Sequence, residues 1–148
     1  TMRYFLELAA AFTGSMGFAM IFHVRREKLF LASLGGMLAW GVYLLMGLVS
    51  DQDVVRSFAA SVFMTVYAEV LARVVKCPAT LFIATGCIPL VPGSALYHTM
   101  EYFMDGDVSA CLSQGLATVL VAVSIALGML FPTSIFRLAG RTRGKCPR

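Results

Sequence analysis

The chain has 148 residues, the length of one domain. Hydrophobic residues make up 59% and charged residues 14%, against roughly 45–50% and about 25% in soluble domains. At a mean hydropathy of +0.81 there are too few ionisable groups for a water-facing exterior, which excludes a soluble enzyme, a disordered regulator and a nucleic-acid binder. The net charge of +4 does not reopen the last class, because the basic residues sit in short clusters between apolar runs, where they act as orientation signals.

The first apolar segment covers about 4–22 and is followed by Arg25, Arg26 and Lys28. Its length, Glu7 within it and the basic cluster behind it read as a span rather than a cleaved leader. The second covers 29–49 and meets Ser50, Asp51, Gln52 and Asp53; the third covers 58–75 and closes at Lys76-Cys77-Pro78. The fourth covers 79–104 and ends at Asp105-Gly106-Asp107; the fifth covers 109–131, with a basic tail over 132–148. Segments one, two, three and five each have the roughly 17–25 residues that a spanning helix needs. The expected fold is all-α: one integral membrane domain in the lipid bilayer with about five transmembrane helices.

Of the 12 Lys and Arg residues, all but Arg3 and Arg56 fall on one side if five spans start with the N-terminus outside. Arg3 and Arg56 share the other side with Asp51, Asp53, Asp105 and Asp107. This asymmetry predicts a plasma-membrane protein with the N-terminus outside and the C-terminus in the cytoplasm. Pro89 and Pro92 each remove a backbone donor, so the fourth segment should break after about residue 88 and restart near Gly93. Neither half is long enough to cross alone. A broken span and a re-entrant hairpin both fit; the hairpin would carry the basic tail outside, and the charge rule favours the broken span.

Ser61, Thr65, Glu69 and Arg73 are spaced four apart, one polar stripe on an apolar helix. A charge in hydrocarbon costs at least about 2.5–3.5 kcal/mol on insertion scales, which points to a role on a solute or ion path. The bland alternatives are an intrahelical Glu69–Arg73 pair and an interfacial anchor at Arg73 with Lys76. At the break, unpaired amides around Gly93, Ser94 and Ala95 favour an anion, Gly93 permits close backbone approach, and Tyr97 follows. The alternative there is a structural kink. Small residues at Gly35 and Ala39, at Thr118, Ala122 and Ala126, and at Gly14 and Gly17 read as packing faces. Trp40 and the tyrosines fit packing or interfacial belts, and Glu7 lies near the outer end of its segment. Cys77, Cys87, Cys111 and Cys146 have no metal or redox spacing. With no nucleotide loop and no nucleophile–base pair either, no enzyme, metal or cofactor is expected.

The run from Tyr67 to Thr80, with Glu69 and Arg73 inside it, followed by Ile88-Pro89-Leu90-Val91-Pro92-Gly93 and Tyr97, resembles the threonine/serine exporter family. It is similar to the short, YjjB-like subunit, the second half of fused members. Gly17-Phe18-Ala19, Phe22 and Gly35-Gly36 fit the same pattern, and Cys77 stands where a small residue such as alanine is expected. The resemblance implies a secondary exporter of small carboxylate-bearing metabolites: threonine, serine, or dicarboxylates such as succinate. It implies a larger membrane subunit as partner; copies of the chain itself are the other candidate. The expected path is Thr65, Glu69 and Arg73 with Pro89, Pro92, Gly93, Ser94 and Tyr97, Glu69 carrying a proton. The competing reading is a non-transporting scaffold or regulatory subunit, which needs packing faces but no intramembrane carboxylate.

Overall fold

A computed structural model of the chain describes residues 2–22 and 26–143, apart from the side chains at 3, 4, 26, 27 and 139–143. Apolar runs without interior proline form α1 (Met2–Ile21), α2 (Arg26–Met46) and α3 (Asp53–Val75). The fourth segment divides into α4 (Ala79–Cys87), a 3-10 turn (Ile88–Leu90) and α5 (Gly93–Met104), and α6 covers Val108–Arg143. No strand occurs among the described residues, and the chain is an all-α, polytopic membrane protein. Lys28–Met46, Asp53–Val75 and Val108–Leu138 are each long and apolar enough to cross a bilayer. The α4–α5 pair makes a fourth such unit, bent by 49°. The apolar part of α1, Phe5–Ile21, is at the short limit of the spanning range.

Contacts between helices fix the direction of each pass. A Cβ at Gly41 would meet Leu8 and one at Gly36 would meet Ser15, so α1 and α2 run antiparallel. Tyr43 reaches Asp53 and Lys28 reaches Val75, so α2 and α3 are antiparallel too. Gly128 lies against Ser61, and Arg73 against Phe136, which makes α3 and α6 parallel. The intervening α4–α5 unit therefore carries the chain from one end of the bundle to the other. A hairpin would have returned it to its starting end and left α6 antiparallel to α3. Successive units thus alternate in direction, with α1 beginning at one end of the bundle and α6 finishing at the other.

The side-chain pattern is inverted relative to a water-soluble core. The interior is built from Ala19, Ala32, Ala39, Ala60, Ala68 and Ala72 around Met64 and Phe82, while Leu112, Leu116, Leu120 and Leu127 point outward. Lipid tails cover large apolar side chains as well as a core would, so small residues are left to let helix backbones approach. α3 is the central helix, packed against α2, α4 and α6. The Gly35 and Ala39 face is buried on α3, whereas a Cβ at Gly14 or Gly17 meets nothing within 4 Å and Ala122 and Ala126 are exposed.

At its far end α3 stops where Lys76 takes a left-handed conformation at φ 54°. The N–H groups of Lys76 and Cys77 both return to the Ala72 carbonyl. The Lys28 ammonium donates to Val75 O at 3.3 Å and lies 2.8 Å from Cys77 Sγ, placing a cation at the negative end of the helix. The expected tail begins inside α6: the helix continues through the buried Pro132 and residues 132–143 extend it. Thr133 and Ser134 donate their hydroxyls to the Met129 and Leu130 carbonyls, so both side chains are satisfied within the helix. Lys145, Cys146 and Arg148 of that tail, and the loop residue Arg25, lie outside the described residues.

Candidate functional site

The break is built by its two prolines. Pro89 has no N–H, and the chain tightens into the 3-10 turn closed by Val91 N–H to Ile88 O at 3.2 Å. Pro92, at φ −75° and ψ 59°, forms an inverse γ-turn in which Gly93 N–H donates to Val91 O at 2.7 Å. The next bond is Leu96 N–H to Pro92 O at 3.1 Å. Between them the amides of Ser94 and Ala95 find no acceptor among the described residues, and no side chain caps α5. The positive end of the α5 dipole adds to these two free donors.

The bend swings α5 away from the bundle axis onto α6, its main neighbour. A cavity of about 130 Å3 is left between the break and the start of α3. Trp40 and Tyr43 enter from α2, Asp53 and Ser57 from α3, Val121 from α6, and Pro89 to Pro92 with Ser94 and Ala95 from the break. The Trp40 and Tyr43 rings stack at 4.9 Å between centroids and 19° between planes. Tyr43 O–H donates to Asp53 Oδ1 at 3.2 Å. Arg56, whose side chain is 19% exposed, donates to Ser50 O at 2.7 Å and to Asp51 at 3.1 Å, and lies 3.5 Å from Asp53. Ser57 is only 3% exposed, yet its hydroxyl has no hydrogen-bond partner among the described residues. The Trp40 indole N–H is likewise shielded and unpaired.

Drug-sized ligands fill pockets of about 300–1,000 Å3, so this one has room for a small solute only. Beyond Asp53, Ala95 and Val121 it adjoins a wider cleft of about 340 Å3 that brings in Gln52, Gln114 and Thr118. Behind Trp40 and Pro89 lies a cleft shared with Glu7. The 360 Å3 groove between α1 and α2 is lined by Leu8, Gly41, Leu44, Leu45 and Leu48 and has no group for a polar ligand. Among the described residues no three His, Cys, Asp or Glu side chains gather as metal ligands.

Of the expected path, the cavity brings together Pro89, Pro92 and Ser94. Thr65 is fully buried and turns its hydroxyl to Ser61 O at 2.8 Å, and Ser61 does the same to Phe58 O. Gly93 adjoins the cavity without lining it, and Tyr97 is exposed, edge-on to His98. Glu69 is half-buried, with no hydrogen-bond or ion-pair partner among the described residues. Arg73 turns to α6 instead, donating to Phe136 O at 3.1 Å with its guanidinium 4.7 Å from the Phe136 ring centre. The intrahelical Glu69–Arg73 pair is therefore not formed. Twelve residues separate Ser57 from Glu69, about 18 Å along the helix at 1.5 Å per residue. Trp40, Tyr43, Asp53 and Ser57 are the cavity residues that reading the stripe and the break had not singled out. Their signal was local: Trp40 and Tyr43 share a face at a spacing of three, Asp53 and Ser57 at a spacing of four.

A sequence model of the threonine/serine exporter family, ThrE, matches residues 7–135. That span holds all six helices at least in part and every residue of the cavity. Comparison with curated proteins and with solved structures returned no match.

Proposed function

Since the chain belongs to the threonine/serine exporter family, a family of membrane transporters, we propose that it is a subunit of a secondary exporter whose small carboxylate-bearing solute sits in the cavity at the helix break. The observation that carries this reading is that Ser94 and Ala95, whose amides have no acceptor among the described residues, line the same small cavity as Ser57, whose hydroxyl has no partner among them. Threonine and serine match its size and polarity; a dicarboxylate such as succinate shares the carboxylate. The direct test is efflux of labelled threonine, serine and succinate from vesicles, with this chain alone and with a larger membrane subunit of the family. Failure of all three solutes to leave under both conditions would overturn the proposal.

Arg73 and Glu69 have separate parts in this proposal. Arg73 stands at the basic end of the bundle with Lys28 and Lys76, where a planar, always-charged guanidinium draws a carboxylate towards the pore. Glu69, one turn further in and without a partner among the described residues, carries the proton that drives export. Glu69→Gln should leave solute binding intact and flatten the pH dependence of flux. A mutant pH profile that overlays the wild type would remove Glu69 from the coupling step.

The ten-to-two division of basic residues supports a plasma-membrane protein with the N-terminus outside and the C-terminus in the cytoplasm. Cys146 should then react with an impermeant maleimide only after intact cells are permeabilised; reaction from outside would reverse the orientation. The exposed small-residue patch at Gly14 and Gly17 offers a contact for the larger subunit or a second copy. The scaffold reading draws support from Ser61 and Thr65, whose hydroxyls serve the backbone. A scaffold has no use for the cavity, so variants that fill it separate the two readings.

A further inference from the structure

Building on the solute site just proposed, we infer that Asp53 reads the α-ammonium group of the solute and makes the cavity selective for zwitterions over dicarboxylates. The cavity is electrically divided. On one wall are Ser94 and Ala95 at the positive end of α5, whose amides, without an acceptor among the described residues, suit a carboxylate. On the other is the Asp53 carboxylate, an acceptor only. An α-amino acid presents its carboxylate and ammonium one carbon apart and can satisfy both walls at once. A dicarboxylate that docks one end on the amides brings its second negative charge towards Asp53.

Asp53 can take this part because its two partners, Tyr43 and Arg56, both meet Oδ1. Arg56 spreads its charge over three acceptors, Ser50 O at 2.7 Å, Asp51 at 3.1 Å and Asp53 Oδ1 at 3.5 Å. Tyr43 holds Asp53 Oδ1 with one hydrogen bond, which orients the carboxylate and leaves Oδ2 for a ligand. One turn along the same face, Ser57 is 3% exposed as a residue, lines the cavity and has no hydroxyl partner among the described residues, an independent sign that a polar ligand completes the site.

Asp53→Asn keeps the Tyr43 hydrogen bond and leaves Arg56 its Ser50 and Asp51 acceptors, so the fold should be retained. The test measures binding of three probes to the full-length protein in lipid nanodiscs: L-threonine, 3-hydroxybutanoate (threonine without its ammonium) and succinate. The wild type should bind 3-hydroxybutanoate at least tenfold more weakly than threonine. Asp53→Asn should lose threonine affinity by tenfold or more, and bind succinate at least as well as the wild type does. Asp51→Asn removes an equal charge from the turn just before α3, at a residue that does not line the cavity, and should leave the ranking unchanged. Equal wild-type affinity for threonine and 3-hydroxybutanoate would overturn the inference whether or not the variant folds, as would unchanged threonine binding in Asp53→Asn. Undiminished threonine binding in Ala95→Phe would instead remove the cavity itself as the solute site.

Discussion

Ala95→Phe should reduce export by tenfold or more, a loss of about 1.4 kcal/mol or greater in solute binding, while leaving helix content and assembly unchanged. Ala95 lines both the 130 Å3 cavity and the wider cleft beside it. A phenyl ring there would occupy the space assigned to the solute and screen the adjoining amides. The cost to the helix itself is small: phenylalanine is less favourable than alanine by at most about 0.7 kcal/mol per residue. Solute efflux and size-exclusion behaviour measured on the same preparation separate the two effects. Wild-type efflux from a correctly assembled Ala95→Phe protein would place the path elsewhere and favour the scaffold reading.

The second large effect is on stability. Gly128→Val should destabilise the bundle by about 1–3 kcal/mol, the range for overpacking a tight contact. A Cβ at Gly128 would collide with Ser61 Oγ, stand 3.0 Å from Phe58 O and 3.2 Å from Ser61 Cβ. Those obstacles are backbone or next to it, so α6 itself must move off α3. At Gly86 the obstacle is the flexible Met64 side chain, which can swing away. Gly86→Ala should therefore lower the thermal midpoint in detergent by less than Gly128→Ala. The reverse order would show that α3 and α6 are not held by this contact.

Hydropathy alone made the all-α, polytopic fold legible, because long apolar runs leave few arrangements. The break was legible too, since two prolines three residues apart cannot sit in one regular helix. Whether α4 and α5 form a bent crossing or a hairpin depended on the pairing of Ser61 with Gly128, a contact across 67 positions that spacing does not reveal. The polar stripe on α3 was visible but mixed in kind. Ser61 and Thr65 bond their own backbone, and only Glu69 and Arg73 keep polar groups for other work. The cavity was half legible. Pro89, Pro92 and Ser94 mark themselves, whereas Trp40 and Asp53 acquire meaning only when antiparallel packing brings the end of α2 and the start of α3 beside the break. The length of α6 escaped because Pro132 reads as a stop in sequence, yet here it lies inside a continuing helix.

The parallel run of α3 and α6 has an arithmetic side. A bundle that crosses an odd number of times ends on the face opposite to its start. Two such bundles joined tail to head by a short loop must be inserted upside down with respect to each other, whatever their sequences prefer. Their cavities would open in opposite senses around a two-fold axis lying in the membrane plane. Two separate chains are under no such constraint: each follows its own basic residues, and identical copies stand the same way up. Fusion and co-assembly of units with this parity are thus different architectures, and the sign of the lysine and arginine bias on each unit distinguishes them.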